Sequence, residues 1–301
     1  MAENNALTAS VFWRAVAAIA LALGSAAPAR AAAATDNGWQ TEPDKPAFRV
    51  CADPNNLPFS NEALAGFENK LADLVAAEFH EPVAYVWHAQ RRGFIRETLN
   101  AKRCDVVMGV PSAYDLVETT RPYYRSSYVF VSRVDRNIDI QSIKDPRLHD
   151  LKVGVQLIGD DGFNTPPAHA LAEQGIVDNV VGFPVYGDYR RPNPPAAIVE
   201  AVERGDVDIA AVWGPLAGYF ARQSPVPLTV KTMTDTESFR PLLFQFDIAI
   251  GVRKGDDERR ARLDAILAEK RPEIEALLKS YGIPLVAAPD QSALETNPPK
   301  Q

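Results

Sequence analysis

Residues 104–131 read Cys-Asp-Val-Val-Met-Gly-Val-Pro-Ser-Ala-Tyr-Asp-Leu-Val-Glu-Thr-Thr-Arg-Pro-Tyr-Tyr-Arg-Ser-Ser-Tyr-Val-Phe-Val. The apolar run at 106–110 has the pattern of a strand buried on both faces, as in parallel sheets. Pro111 stops it, and 112–120 reads as a polar loop. Tyr123, Tyr124 and the run from Tyr128 to Val131 resume extended, β-prone sequence. Open α/β sheets place ligands at loops on the carboxyl ends of parallel strands. Residues 111–125 are therefore expected to form a cleft lip, and 128–134 to carry the chain into a second lobe.

Upstream of this stretch the order is β-α-β-α-β. Residues 48–52 form a short apolar strand, followed by a turn-rich loop through Asp53, Pro54 and Pro58. Leu71, Leu74, Val75 and Phe79 fall at helical spacing, 83–87 is a second strand, and Gly93 opens a helix carrying Phe94, Ile95, Thr98 and Leu99. Downstream the order repeats. Strands are read at 151–156, 179–183 and 207–212, with helices at 168–174 and 196–202, the latter stopped by Gly205. The distance from Phe48 to Asp105 equals that from Leu151 to Asp208, which points to two similar α/β lobes. A strongly apolar strand at 244–252 and two helices follow. If that strand returns to the first lobe, two strands cross between the lobes and make a hinge with a cleft. The expected division is lobe 1 at 48–134 with 240–287, and lobe 2 at 135–239.

The chain has 301 residues, of which 46% are hydrophobic and 24% charged, an ordinary composition for one or two globular domains. Residues 11–23 are apolar apart from Arg14, and Ala29-Arg30-Ala31 follows. This reads as an export signal over 1–31, with an uncleaved anchor helix as the alternative, for which the run is short. No later stretch could span a membrane. Without Glu3, Arg14 and Arg30 the mature chain has 30 basic and 38 acidic residues, net −8. That charge argues against nucleic acid and anionic membrane as partners. Residues 32–47 read as a disordered leader and 288–301 as a flexible tail. The two cysteines, Cys51 and Cys104, both sit at predicted strands. In an oxidising compartment they form either a disulfide or a pair of buried thiols.

The four histidines are scattered, so no metal site is expected, and no nucleotide or cofactor motif is present. Gly159-Asp160-Asp161-Gly162 lacks the acidic ladder of a calcium loop. The strand-end loops instead carry recognition residues: Asp53, Asn55, Asn56, Phe59 and Glu68 by the first strand; Trp87, Gln90, Arg91 and Phe94 by the second; Ser112, Tyr123, Tyr124 and Arg125 by the third. The second lobe offers Gln156, Asp160, Asn164 and Trp213. Aromatic and Arg side chains on one side of two sheets favour a binding cleft.

Four landmarks, Leu57-Pro58-Phe59, Gly66-Phe67-Glu68, Thr120-Arg121-Pro122-Tyr123-Tyr124 and Ile250-Gly251-Val252-Arg253-Lys254-Gly255, occur in the order found in amino-acid-binding periplasmic proteins, and residues 48–284 resemble that type. The resemblance implies the type II periplasmic binding fold: two lobes, each a parallel-rich sheet with flanking helices, joined by two crossover strands. Its ligand anchors are missing. Residues 112–117 hold no Arg to clamp an α-carboxylate, Leu157-Ile158-Gly159-Asp160-Asp161 replaces a Gly-Thr donor pair, and the position of the ammonium-binding acid falls near Trp213.

Longer runs give a narrower resemblance. Residues 50–61, Gly66-Phe67-Glu68-Asn69-Lys70, Gln90-Arg91-Arg92-Gly93-Phe94-Ile95-Arg96 and Cys104-Asp105-Val106-Val107 are similar to the accessory proteins of PQQ-dependent methanol dehydrogenases (XoxJ/MxaJ type). That likeness implies a periplasmic accessory protein that binds the dehydrogenase and helps mature or activate it; we expect it to be a non-enzymatic monomer without cofactor. We expect the lanthanide-linked branch. Two rivals remain. One is a receptor for a small neutral or aromatic solute; the other is a cleft enzyme, such as a dehydratase of the cyclohexadienyl type, with Asp53 or Glu68 as its acid or base.

Overall fold

A computed structural model of the chain describes residues 46–158 and 164–287. The export signal read over 1–31, residues 32–45 of the leader, Asp160 and the tail over 288–301 lie outside the described residues.

The first part runs β1 (Phe48–Ala52), a small hairpin of β2 (Asn55–Asn56) and β3 (Ser60–Asn61), α1 (Phe67–Phe79), β4 (Val83–Trp87), α2 (Phe94–Glu97), β5 (Val106–Pro111), β6 (Glu118–Thr119) and β7 (Tyr124–Arg133). Then come β8 (Val153–Leu157), α3 (Pro166–Glu173), β9 (Val180–Pro184), α4 (Ala197–Arg204), β10 (Ile209–Trp213), α5 (Gly214–Gln223) and β11 (Leu228–Thr232). β12 (Gln245–Val252), α6 (Asp257–Glu269) and α7 (Arg271–Ser280) close the order.

The main ladder runs β4-β1-β5-β12-β7-β10-β8-β9. The pairs β1–β4, β1–β5, β10–β8 and β8–β9 are parallel, as the β-α-β reading requires. β7 crosses between the two parallel groups. Its first residues, Tyr124 to Ser127, pair antiparallel with β12, and Tyr128 to Ser132 pair with β10. Two sheets were expected; one long strand shared by both joins them into a continuous ladder.

The helices bury the stripes that their spacing predicts. α1 turns Phe67, Leu71, Ala72, Val75 and Ala76 inward against β1, β5 and β12. Its start is tied by the Asn69 side chain, whose Oδ1 accepts from the backbone of Asn61 at 3.2 Å and Gly66 at 3.0 Å. α4 buries Ile198, Val199, Ala201 and Val202 and ends at Gly205, whose φ of 76° an L side chain rarely adopts.

α2 is shorter than the sequence suggests. The Thr98 hydroxyl donates to the Phe94 carbonyl at 2.6 Å, and the backbone leaves the helical region there. The loop at 112–120 is not wholly polar or irregular. It buries Val117 and pairs β6 with β12.

The internal repeat appears as matched hydrogen bonds. The Asp105 amide donates to the Arg49 carbonyl at 2.8 Å, and the Asp208 amide to the Lys152 carbonyl at 2.9 Å. Each carboxylate is then neutralised locally. Arg49 binds Asp105 through Nε and Nη2 at 3.0 and 2.9 Å, and Arg136 lies 2.7 Å from Asp208. Burial alone would raise the Asp105 carboxyl; the Arg49 hydrogen bonds, the charges of Arg259 and Arg49 and the Arg253 hydrogen bond outweigh it and hold the group below the usual range. Among the described residues no helix is long and apolar enough to cross a membrane.

Candidate functional site

The carboxyl ends of the strands open on a cavity of about 360 Å³, within the range of small-molecule sites. One wall is local in sequence: Asp53 follows β1, Asn56 and Phe59 belong to the β2–β3 hairpin, and Glu68 sits in the first turn of α1. Gly109 and Pro111 of β5, Tyr124 of β7 and Phe246 and Ile248 of β12 complete it. The opposite wall has Tyr128, Gln156 of β8, Trp213 of β10 and Leu216 of α5. Val185, Tyr186, Tyr189 and Pro195 come from the segment between β9 and α4.

Ring packing stiffens both walls. Trp213 meets Phe246 and Tyr128 edge-on, with centroids 5.7 and 5.4 Å apart, and Phe67 links Phe59 to Tyr124 at 5.6 and 6.0 Å. The Gln156 amide oxygen accepts from the Trp213 backbone at 3.3 Å.

The 185–195 segment reaches across to the first wall. Asp53 is held on three sides: Oδ1 accepts from the Asn55 amide at 2.8 Å, while Oδ2 accepts from the Gln90 amide at 2.7 Å and from the Tyr189 hydroxyl. Asn55 donates to the Arg191 carbonyl at 2.8 Å and accepts from the Asn193 amide at 2.9 Å. The Arg91 guanidinium lies 4.6 Å over the Tyr189 ring. Burial and the bond to Asp53 push the Tyr189 phenol well up, so it stays a neutral donor.

Glu68 is the other carboxyl of the cavity, and it has no hydrogen-bond or ionic partner among the described residues. Its Oε1 lies over β5 at Gly109, where a Cβ would come within 2.0 Å of it. Burial, helped by the Asp53 charge, pushes the Glu68 carboxyl up to about 8. The fold prefers its protonated form, so between pH 4.5 and about 8 the native state binds more protons than the unfolded chain, and this group's stabilisation is lost as pH rises through that window. Glu68→Gln is therefore expected to flatten the fall in thermal midpoint from pH 5 to pH 8 and to raise the midpoint at pH 8. Scanning calorimetry at the two pH values checks this, and an unchanged pH slope would contradict it.

Of the residues singled out in the sequence, Asp53, Asn56, Phe59, Glu68, Gln90, Tyr124, Gln156 and Trp213 come together on the cavity. Asn55 and Arg91 belong to its bridged rim. The others lie elsewhere. Trp87 stacks on Tyr85, with centroids 4.5 Å apart, against the α1 core. Phe94 is buried with the cysteines, and Tyr123 is buried with its hydroxyl on the Met108 carbonyl at 3.0 Å. Arg125 pairs with Asp247 at 3.1 Å, and the Ser112 amide donates to the Asp247 carbonyl at 2.8 Å. The Asn164 amide donates to the His169 ring at 3.1 Å.

Sequence reading passed over Tyr128, Tyr186, Tyr189 and Phe246. The signal for two of them was there: Tyr186-Gly-Asp-Tyr189-Arg-Arg-Pro-Asn-Pro-Pro195 is a long loop at a strand end, rich in aromatic and Arg side chains. Among the described residues no three of His, Cys, Asp or Glu gather as a metal-ligand group. No Lys, Arg or His among the described residues lines the cavity.

Residues 48–282 match the family model of bacterial extracellular solute-binding proteins, family 3. The chain is similar to Protein MoxJ of Methylorubrum extorquens, 33% identical over 257 residues that cover 81% of this chain and 83% of MoxJ. Its fold is similar to the periplasmic binding protein XoxJ from Methylobacterium extorquens AM1, with a TM-score of 0.67, 33% identity, and 80% and 100% of the two chains covered. It is also similar to MxaJ from Methlophaga aminisulfidivorans MPT, with a TM-score of 0.70, 30% identity, and 80% and 100% covered.

Proposed function

The chain belongs to the bacterial extracellular solute-binding proteins, family 3, and on that premise we propose that it is a periplasmic accessory protein that binds a PQQ-dependent methanol dehydrogenase through its cleft. In this reading it helps mature or activate the enzyme, of the lanthanide-dependent branch, and is itself a non-catalytic monomer. The lobes are 48–134 with 240–287, and 135–239, hinged where β7 and the return into β12 pass between them. Opening of that hinge would part the 185–195 segment from Asp53 and Asn55, which it bridges in the structure.

The observation that carries this reading is the cavity wall. An amino-acid receptor needs a cation for the α-carboxylate, best met by a bidentate Arg. Among the described residues the wall holds none, and seven aromatic side chains take the space. The fold of a solute receptor is kept and its zwitterion clamp is not. The likeness to MoxJ, XoxJ and MxaJ supports the same reading.

The test is capture of the purified dehydrogenase, with and without its cofactor and metal, on immobilised protein. Binding is expected to at least one form, and Trp213→Ala is expected to weaken it by about 30-fold or more, as for a central aromatic anchor worth about 2 kcal/mol. Failure to capture either form refutes the reading.

The bridged rim and the modest cavity volume favour a second reading, a receptor for a small neutral or aromatic solute. A reproducible thermal-shift hit, with no dehydrogenase capture, would select it.

A further inference from the structure

We propose that the cavity takes an organic cation, an alkylammonium or guanidinium head on an apolar stem, seated against the Glu68 carboxyl and the aromatic rings that line the same space. The inference rests on reading the cavity as the place where a guest is held, and it states what chemistry that guest presents.

Among the described residues the lining carries two carboxyls and no basic side chain; Asn56, Gln90, Gln156 and the tyrosines are neutral. An anionic guest would meet like charge, and a free amino acid would leave its carboxylate unpaired. The two carboxyls are not equivalent. Asp53 already accepts from the amides of Asn55 and Gln90 and from the Tyr189 hydroxyl, so its lone pairs are committed to the rim. Glu68 projects across β5 at Gly109, where the absence of a side chain leaves it room. It has no partner among the described residues. Glu68 is half-buried at the cavity wall, and a carboxyl that faces this lining without a donor is costly; a guest cation supplies donor and charge together.

The rings supply the rest of the match. Phe59, Tyr124, Tyr128, Trp213 and Phe246 line the same cavity, and aromatic faces attract a desolvated cation. They also give an apolar path for the stem, as when Lys and Arg bury their methylenes.

A cation requires Glu68 ionised, whereas the closed fold holds it protonated near neutrality. The groups facing Glu68 are Asp53, which opposes ionisation, and the phenols of Tyr85, Tyr123 and Tyr124, which are themselves raised and stay neutral. Uptake of the cation therefore expels a proton. With a free carboxyl at about 8, affinity is expected to rise about eightfold from pH 6.5 to pH 7.5, the shift set by one-proton linkage.

Isothermal titration of the full chain tests this with three probes: Nα-acetyl-lysine amide for a protein side chain, n-butylammonium for a free amine, and Nα-acetyl-norleucine amide as the uncharged isostere. At least one cation is expected to bind, with the stated pH dependence, and the isostere is not. Binding of the blocked lysine alone identifies a protein segment as the guest; binding of n-butylammonium alone identifies a free amine. Glu68→Gln, verified as folded by circular dichroism, is expected to weaken binding by at least about tenfold at pH 7.5, as loss of a charge-assisted contact implies. Should that variant misfold, the pH titration of the unaltered protein still decides. No binding of either cation, equal binding of norleucine amide, a flat pH profile, or undiminished binding by the folded variant overturns the proposal. The dehydrogenase capture assay is read separately. Capture of the dehydrogenase with neither cation probe bound sinks the cation site and spares the accessory role, whereas Glu68-dependent probe binding without any capture does the reverse.

Discussion

Replacing Cys51 and Cys104 together by alanine is expected to lower the unfolding free energy by about 4 kcal/mol, the loop-entropy value for a bridge of this span. The two cysteines are joined across a sequence separation of 53, with Cα atoms 5.5 Å apart, a distance usual for a disulfide. The bridge ties the end of β1 to the residue that leads into β5, two strands that already pair in parallel. In the native state it therefore holds together what the sheet holds anyway. Its contribution lies in the unfolded chain, which loses the freedom of the loop containing the hairpin, α1, β4 and α2. Burial adds to the cost of removal. Both side chains are 1% exposed or less and pack with Val86, Phe94, Ile95, Leu99 and Val107, so alanine also leaves space that the core must refill. Chemical denaturation under non-reducing conditions measures the effect as a fall in midpoint with a similar slope. A loss below about 1 kcal/mol would mean that the denatured chain is already restricted in this region and that the bridge adds little.

What the residues disclosed before any coordinates follows from range of interaction. Strand and helix order depended on local periodicity, and runs such as Val106 to Val110 or Leu71-Leu74-Val75 carried it. The doubled β-α-β-α-β unit was legible because its spacing is preserved, and the Asp105 and Asp208 amides now occupy matching places beside Arg49 and Lys152. Side-chain direction was less legible. Tyr123 and Tyr124 are neighbours on extended chain, where successive side chains point to opposite faces; Tyr124 reaches the cavity, and Tyr123 turns to the Met108 carbonyl. Trp87 and Phe94 look like binding residues by type and are spent on packing. The rim bonds were beyond local reading altogether. Asp53 and Tyr189 are separated by 136 residues, and only the tertiary fold puts a phenol on that carboxylate.

The sharpest conflict between the two views concerns Gly218. It lies inside α5, where helix propensity alone says that alanine should gain about 1 kcal/mol. The structure reverses the sign. A Cβ at 218 would lie 2.0 Å from the Gly282 carbonyl oxygen and 2.9 Å from Cδ of Pro284, and the first of these is backbone that cannot rotate away. One turn earlier, a Cβ at Gly214 would lie 2.5 Å from the Ser127 carbonyl oxygen. Two glycines four apart on one helix face thus let α5 settle directly on the chain that leaves α7 and on the crossover strand β7. The contact is reinforced around them. Arg222 donates to the carbonyls of Lys279 and Ser280 at 3.1 and 2.9 Å, and Tyr219 stacks on Tyr281 with centroids 5.7 Å apart. Gly218→Ala must separate these backbones or bend α5, an overpacking cost of about 3 kcal/mol. After the propensity gain, a net loss of about 2 kcal/mol is expected, or about 4–8 °C in thermal midpoint for a chain of this size. Gly205→Ala serves as the comparison: nothing lies within 4 Å of its Cβ, so its cost comes only from the φ of 76° and stays near 1 kcal/mol. If calorimetry finds Gly218→Ala as stable as the parent or more so, α5 does not rest on the 282–284 backbone as closely as described. The brace between that helix and the end of α7 would then be no part of what holds the crossover in place.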